Sequence, residues 1–159
     1  MTHLGHNISS VRYLCIDLGQ RYTGLATGDD ETGIALPLDV INTRDNDTRM
    51  AALTRTIQDQ EVDALVLGLP LNMDGSAGPA AAAMRTYAEK LQATFGLAVH
   101  LVDERLSSHA AEGTLRDVAM TRSKRKKAGH AMAAVVILQD FLAGRQRAPR
   151  TDSGLDGMV

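Results

Sequence analysis

Apolar residues along the chain fall into five short runs, and their length predicts β-strands. The first run is apolar at nearly every position, as in a strand that is covered on both faces of a sheet. The third run contains Pro37, which indicates an edge strand or a bulge. Since the first three runs follow one another directly, they predict an antiparallel meander. The five predicted strands are 11–16, 25–27, 33–41, 62–68 and 97–102.

Between and after the later strands, the apolar spacing changes to every three or four residues, which predicts helices. Asp45 or Asp47 is placed to cap the first helix, Pro79 suits the first turn of the second, and Ser107 or Ser108 begins the third. The order of elements predicts an α/β fold, a mixed five-stranded sheet with helices on both faces. The predicted helices are 47–60, 79–95, 107–119 and 129–143.

Length and composition indicate one domain. A chain of 159 residues with 44% hydrophobic and 23% charged residues fits one core, so we expect a domain at 11–143 with flexible ends at 1–10 and 144–159. No apolar segment is long enough to span a membrane or to form a signal peptide. Cys15 is the only cysteine, so an intramolecular disulfide is impossible. These features predict a cytoplasmic protein without a membrane partner.

Charge is separated along the chain, although the net charge is only −2. Residues 1–121 carry −7 and residues 122–150 carry +7, which predicts an anionic partner for the later segment. An aromatic content of 3% argues against a site that stacks bases on rows of rings, so contacts to phosphates are favoured. The alternative for the basic run is a solvated loop. The run consists of Arg122, Lys124, Arg125, Lys126 and Lys127.

An acidic residue, Asp17, ends the first apolar run. A carboxylate among such neighbours is costly unless something neutralises it. Gly19 and Gly24 allow the chain to turn and to approach a ligand closely. The alternative role for Asp17 is to cap the turn after the strand.

Two further stretches would meet Asp17 where strand ends share one edge of the sheet. The segment 68–79 contains Asn72, Asp74 and Gly75 and fits either a phosphate-binding loop or an ordinary strand-to-helix connection.

Asp103 and Glu104 follow the fifth strand directly. Because strand side chains alternate, only one of the two can face Asp17. Carboxylates brought together repel unless a cation intervenes, and oxygen ligands favour Mg²⁺ or Mn²⁺.

Several motifs, in this order, resemble the YqgF family, also called RuvX, whose members are described as pre-16S rRNA nucleases and Holliday junction resolvases. The resemblance implies a ribonuclease H-like fold and metal-assisted hydrolysis of phosphodiester bonds, with Asp17 and Glu104 matching the first two family carboxylates. The motifs are Asp17-x-Gly19, Gly24-x-Ala26, Ala35-Leu-Pro-Leu38, Gly68-Leu-Pro-Leu-Asn-Met-Asp-Gly75, Asp103-Glu-Arg-Leu106 and Ile137-Leu-Gln139.

Two positions depart from the family pattern. His130 stands where the family usually has its third Asp, and Tyr22 stands where it commonly has Arg. Helical spacing puts His130 on the stripe of Ala134 and Ile137, so it should point toward the sheet. Asp140 is too far along the helix to replace the missing acid. Three interpretations of His130 remain open: a metal ligand, which would favour Mn²⁺, a proton-transfer group, or a structural residue in a protein without catalysis.

The resemblance and the charge pattern together predict a metal-dependent nuclease acting in 5′ processing of pre-16S rRNA during ribosome biogenesis. The alternatives are a Holliday junction resolvase-like DNA endonuclease and a catalytically silent nucleic-acid-binding module. We expect Asp17, Glu104 and His130 to be catalytic, and Asp17 and Glu104, with His130 or Asp103, to hold one or two divalent ions. The partner would be structured RNA, or branched DNA, bound by a monomer or homodimer. The residues expected to contact substrate are Gly19, Arg21, Asn72, Asp74, Gly75, Arg105, Arg122, Lys124, Arg125, Lys126 and Lys127.

Overall fold

A computed structural model describes residues 10–69, 78–103 and 122–147, except for the side chains of 122–127 and 146–147. The helix predicted at 107–119 lies outside these residues. The elements are β1 (Arg12–Asp17), β2 (Tyr22–Asp29), β3 (Ala35–Asn42), α1 (Asn46–Asp59), β4 (Ala64–Leu69), α2 (Pro79–Phe95), β5 (Ala98–Asp103) and α3 (Arg122–Arg147).

The five strands form one mixed sheet in the order β3-β2-β1-β4-β5. β1, β2 and β3 pair antiparallel, whereas β1 pairs parallel with β4 and β4 parallel with β5. The predicted meander followed by parallel strands is confirmed. This topology puts the carboxyl ends of β1, β4 and β5 along one edge, with Asp17 at the end of the central strand.

The position of Pro37 is explained by the edge of the sheet. β3 is an edge strand, and its pairing with β2 shifts from Leu25–Asp39 to Ala26–Pro37, which leaves Leu38 as an extra residue. A proline has no N–H to give to a ladder, so an edge position beside a bulge accommodates it. The sequence prediction of an edge or a bulge is therefore confirmed on both counts.

The sheet is covered on both faces because its central strands are apolar on both. Leu14 and Ile16 point to α1 and α2, while Tyr13 and Cys15 point to α3. The α3 side combines small aliphatic residues with the Tyr13 ring, which contacts Phe141 edge-on with ring centroids 5.1 Å apart. Its other buried members are Ala26, Ala35, Ala64, Val66, Ala134, Ile137, Leu138 and Leu142.

Local sequence signals set the ends of α1 and α2. The Asp45 carboxylate accepts hydrogen bonds from the Thr48 hydroxyl at 2.6 Å and from the Thr48 backbone N–H at 2.8 Å, as an N-cap does. The same two bonds, the hydroxyl first, lower the pKa of Asp45 below its usual value. Pro79 occupies the first turn of α2, and Gly96 ends it with φ of 68°.

The last helix is longer than its apolar pattern predicts. It begins at Arg122 instead of 129 and ends at Arg147 instead of 143, so it includes the basic run and the first residues of the predicted tail. The interpretation of the basic run as a loop before the helix is wrong, because Lys and Arg are good helix formers and charge alone does not break a helix. None of the helices that the structure describes is both long and apolar enough to cross a bilayer.

The side chain of Gln139 joins α3 to the start of β3. Its Nε2 donates to the Gly33 carbonyl at 2.7 Å, and its Oε1 accepts from the Ala35 N–H at 3.0 Å. The side-chain amide of Gln139 therefore gives the Gly33 carbonyl and the Ala35 N–H the hydrogen-bond partners that a neighbouring strand would otherwise supply.

Replacing Gln139 by alanine should lower the free energy of unfolding by about 1–2 kcal/mol, because both backbone groups lose their partner. Gln139→Glu keeps an acceptor for Ala35 but sets a carboxylate oxygen against the Gly33 carbonyl, so it should be destabilising as well. Urea denaturation would measure both, with the neighbouring exposed Asp140→Ala as the control. A Gln139→Ala protein as stable as wild type would contradict this role.

Candidate active site

Asp17 lies at the carboxyl end of β1, opposite Gly24 of β2. Strand alternation gives it the same face as Tyr13 and Cys15, the face that α3 covers. Its side chain is 16% exposed. A carboxylate with this little exposure is costly unless its charge is compensated.

His130 lies on α3, across from Asp17 on the same face of the sheet. It is one turn before the buried Ala134, and its Nδ1 is 4.0 Å from Asp17 Oδ2. The prediction that His130 points toward the sheet is confirmed. The imidazole is 32% exposed, so the pair lies at the rim of the sheet and a ligand can reach it from solvent.

The distance between the two side chains tests whether they fit a shared cation. A gap of 4.0 Å between Nδ1 and Oδ2 is too long for a hydrogen bond. Two ligands about 2.1 Å from one octahedral ion lie about 3.0 Å apart when adjacent and about 4.2 Å apart when opposite, so this pair can share an ion only as nearly opposite ligands. One carboxylate oxygen and one imidazole nitrogen also suit Mn²⁺. Asp17 and His130 therefore fit as part of a divalent-metal site.

The β1–β2 turn surrounds the imidazole. The Tyr22 ring stacks on the His130 ring with centroids 5.5 Å apart and planes inclined by 29°. A Cβ placed on Gly19 would lie 3.7 Å from His130 Cε1, so the turn backbone runs beside the ring edge. The Arg21 guanidinium lies 5.3 Å from the Tyr22 ring centre, and its Nε donates to Asn42 Oδ1 at 3.0 Å. The structure thus brings Asp17, Gly19 and His130 together, while Arg21 reaches the site only through the Tyr22 ring.

Gly24 allows β2 and α3 to approach closely at this point. A Cβ on Gly24 would lie 2.0 Å from the His130 carbonyl oxygen and 2.4 Å from its carbonyl carbon, so no side chain fits. Because Gly24 has no side chain, the backbone of α3 at His130 can pack directly against β2, next to Asp17. Sequence reasoning assigned Gly24 to a turn, because only the packed structure shows what faces it.

A buried arginine, Arg49, holds the turn that carries Gly19 and Arg21. It is 6% exposed, and its Nη2 donates to the carbonyls of Gln20 at 3.1 Å and Thr43 at 3.0 Å. Sequence reasoning missed this residue. The available signal was a cation four residues before the buried Leu53, on the apolar stripe of α1.

Asp103 lies at the carboxyl end of β5 but does not converge with Asp17. Val99 packs with the α1 and α2 core, whereas Val102 packs with the α3 core. Alternation gives Asp103 the face of Val99, which is opposite to that of Asp17.

The other predicted site residues lie outside the described part of the chain. They are Asn72, Asp74, Gly75, Glu104 and Arg105. The basic run is described in part: its backbone forms the first turns of α3, but its side chains are not described. Within the described ranges, no group of three or more His, Cys, Asp or Glu side chains could hold a metal.

Comparison with known proteins identifies the relatives of this chain. A protein named "Putative pre-16S rRNA nuclease" from Anaeromyxobacter sp. (strain Fw109-5) is 43% identical over 135 residues, which are 85% of this chain and 98% of that protein. One of the same name from Bacillus subtilis (strain 168) is 40% identical over 134 residues, 83% of this chain and 97% of that protein.

The fold also has a counterpart among solved structures. RuvC from T. thermophilus, solved in complex with a Holliday junction substrate, has 15% sequence identity and a TM-score of 0.54 over 86% of this chain and 97% of that chain. This likeness supports the ribonuclease H-like fold. A family model described as RuvX, Holliday junction resolvase, matches residues 11–144. With this match and relatives about 40% identical over most of its length, the chain belongs to the RuvX family.

Proposed function

We propose that this protein is a metal-dependent nuclease that hydrolyses phosphodiester bonds in the 5′ processing of pre-16S rRNA. The observation that carries the proposal is the largely buried Asp17 carboxylate at the end of the central strand, 4.0 Å from the His130 imidazole. The names of its relatives support the substrate. The protein would act in the cytoplasm as a monomer or homodimer.

Asp17 and His130 would each give a ligand to Mg²⁺ or Mn²⁺, and the nitrogen of His130 favours Mn²⁺. A bound divalent ion would supply positive charge at the scissile phosphate and lower the pKa of its bound water. Such ions are usually held by one or two carboxylates together with substrate phosphates, so a second acid beside Asp17 would strengthen the site.

Glu104 is proposed as that second acid. Asp103 has the face opposite to Asp17, which leaves its neighbour as the acid to consider. Glu104 is that neighbour, and it matches the second carboxylate of the family that the sequence resembles.

Substrate would be held by its phosphates. Arg21 lies beside Tyr22 at the rim of the site, and the basic run adds five cations to the first turns of α3, on the helix that carries His130. Cations at a helix N-terminus are disfavoured by the helix dipole, so an anion there relieves a cost as well as adding contacts. Asn72, Asp74, Gly75 and Arg105 are proposed as further substrate contacts. Such contacts position a nucleic acid without selecting its sequence.

Neutralising Lys124, Arg125, Lys126 and Lys127 to glutamine should weaken RNA binding and flatten its salt dependence. Each lost phosphate contact should reduce the slope of log K against log salt by about 0.7–0.9. Fluorescence anisotropy between 50 and 300 mM salt, roughly the range over which phosphate contacts are screened, would measure it. The control neutralises Arg85 and Lys90, exposed cations of α2 on the other face. An unchanged slope in the first variant would place the nucleic acid elsewhere.

The family description favours a second candidate, a DNA endonuclease acting on Holliday junctions. Cleavage of a 5′-extended pre-16S rRNA fragment and of a four-way DNA junction, each with Mg²⁺ and with Mn²⁺, separates the two. We expect the RNA to be cut and the junction to remain intact. Cleavage of the junction alone would reverse the assignment.

The departure at position 130 motivates a third candidate, a catalytically silent binding module. His130→Asp restores the acid that the family pattern has at this position. A working histidine predicts reduced cleavage with Mn²⁺ in this variant. An inactive wild type that gains cleavage on this substitution would show that the natural chain only binds.

A further inference from the structure

The orientation of the His130 ring is not determined by its own side-chain torsions. The terminal torsion of histidine has a broad preference, so a ring at the rim of a site can swing unless neighbours hold it. The imidazole is 32% exposed, and its Nδ1 is 4.0 Å from Asp17 Oδ2, beyond hydrogen-bond reach. Another group must therefore fix the plane in which the ring nitrogens lie.

Tyr22 is the group that faces the plane of the ring. Its ring stacks on the imidazole at 5.5 Å and 29°, a geometry that limits rotation of the smaller ring. Gly19 bounds the ring edge without a side chain of its own. Together they restrict the plane of the imidazole, and in the structure Nδ1 lies on the side of Asp17.

Tyr22 is itself held on two sides. As the first residue of β2 it pairs with Asn42 of β3, and the Arg21 guanidinium lies 5.3 Å from its ring centre. Arg21 in turn donates to the Asn42 side chain at 3.0 Å. The stacking surface is therefore built on the sheet and does not depend on α3, whose residue it orients.

We infer that Tyr22 is a positioning residue that fixes the plane of the His130 imidazole and so aims Nδ1 at the space shared with Asp17. The catalytic consequence rests on the proposed function; the orientation of the ring does not. Loss of the ring should affect ion binding and turnover through His130, whereas loss of the hydroxyl alone should matter little because the stack uses the π face.

The test compares Tyr22→Leu, Tyr22→Phe, His130→Ala and the double variant Tyr22→Leu with His130→Ala. In the metal-free protein, the NMR signals of the His130 ring should move downfield in Tyr22→Leu, where the ring-current shift of the stack is lost, and stay near wild type in Tyr22→Phe. Mn²⁺ affinity and kcat should fall about 10- to 100-fold in Tyr22→Leu, the range for partners that orient metal ligands, with KM for RNA little changed.

The double variant shows whether Tyr22 acts through His130. If it does, Tyr22→Leu should have little further effect on Mn²⁺ affinity once His130 is alanine. The same fold loss in both backgrounds, or unchanged His130 ring signals in Tyr22→Leu, would overturn the inference. A wild type that cuts no nucleic acid would refute the proposed function only, since the NMR and Mn²⁺ measurements need no substrate.

Discussion

Replacing Asp17 by asparagine should abolish cleavage while leaving the fold intact. Asparagine has the same shape but lacks the charge that would hold a cation between β1 and α3. We expect kcat to fall by more than about 100-fold, because even partners of metal ligands account for about 10- to 100-fold. Stability should be equal or slightly higher, since the variant no longer keeps a charge in a site that is only 16% exposed. Single-turnover cleavage and thermal denaturation measure the two effects.

The matched control for this substitution is Asp140→Asn. Asp140 is an exposed acid on the same helix as His130, so its replacement removes one negative charge without touching the site, and activity should stay within about twofold. Asp103, the last residue of β5, and the following Glu104 give a second comparison: Glu104→Gln should resemble Asp17→Asn, whereas Asp103→Asn should keep most activity. Full activity in Asp17→Asn would refute the assignment of the active site to Asp17.

Replacing Gly24 by alanine should damage both stability and activity. The new methyl carbon would lie 2.0 Å from the carbonyl oxygen of His130 and 2.4 Å from its carbonyl carbon. Because both are backbone atoms, they cannot turn aside as a side chain can, so α3 must move away from β2. Overpacking of this kind costs about 1–3 kcal/mol or more. The movement separates His130 from Asp17, so cleavage should fall by more than the loss of folded protein explains.

Gly144→Ala is the control, because it makes the same change on α3, the helix that Gly24 faces, with the opposite expectation. Nothing lies within 4 Å of a Cβ at that position, and alanine favours the helix by about 0.5–1 kcal/mol. Urea denaturation and cleavage at a temperature where both proteins are folded would measure the pair. A Gly24→Ala protein as stable and active as wild type would show that this approach of β2 and α3 is not needed.

The strands, their order and several element ends could be predicted because their signals are local. Apolar runs separated by turn residues located the sheet, Pro37 marked its edge, and Asp45 marked the start of α1. The direction of His130 was also predictable, since helical periodicity relates it to the buried Ala134 and Ile137.

Other features depend on contacts between distant segments and could not be predicted. The start of α3 was placed seven residues late because the basic run has no apolar stripe to indicate a helix, although its residues favour one. The sequence selects Glu104 over Asp103 only through the family resemblance, because the half-exposed residues of β5 do not reveal which face Asp103 has. Tyr22 and His130, the two departures from the family pattern, were noted separately, and only the packed structure shows their rings in contact.

The central claim is that Asp17 and Glu104, with His130, hold a divalent cation. A crystal grown with Mn²⁺ and measured near the manganese absorption edge tests it most directly. The account predicts an anomalous peak about 2.0–2.2 Å from carboxylate oxygens of Asp17 and Glu104, with the His130 imidazole as a further ligand. A manganese ion bound without Asp17, or an Asp17 carboxylate with no ion at saturating Mn²⁺, would contradict it.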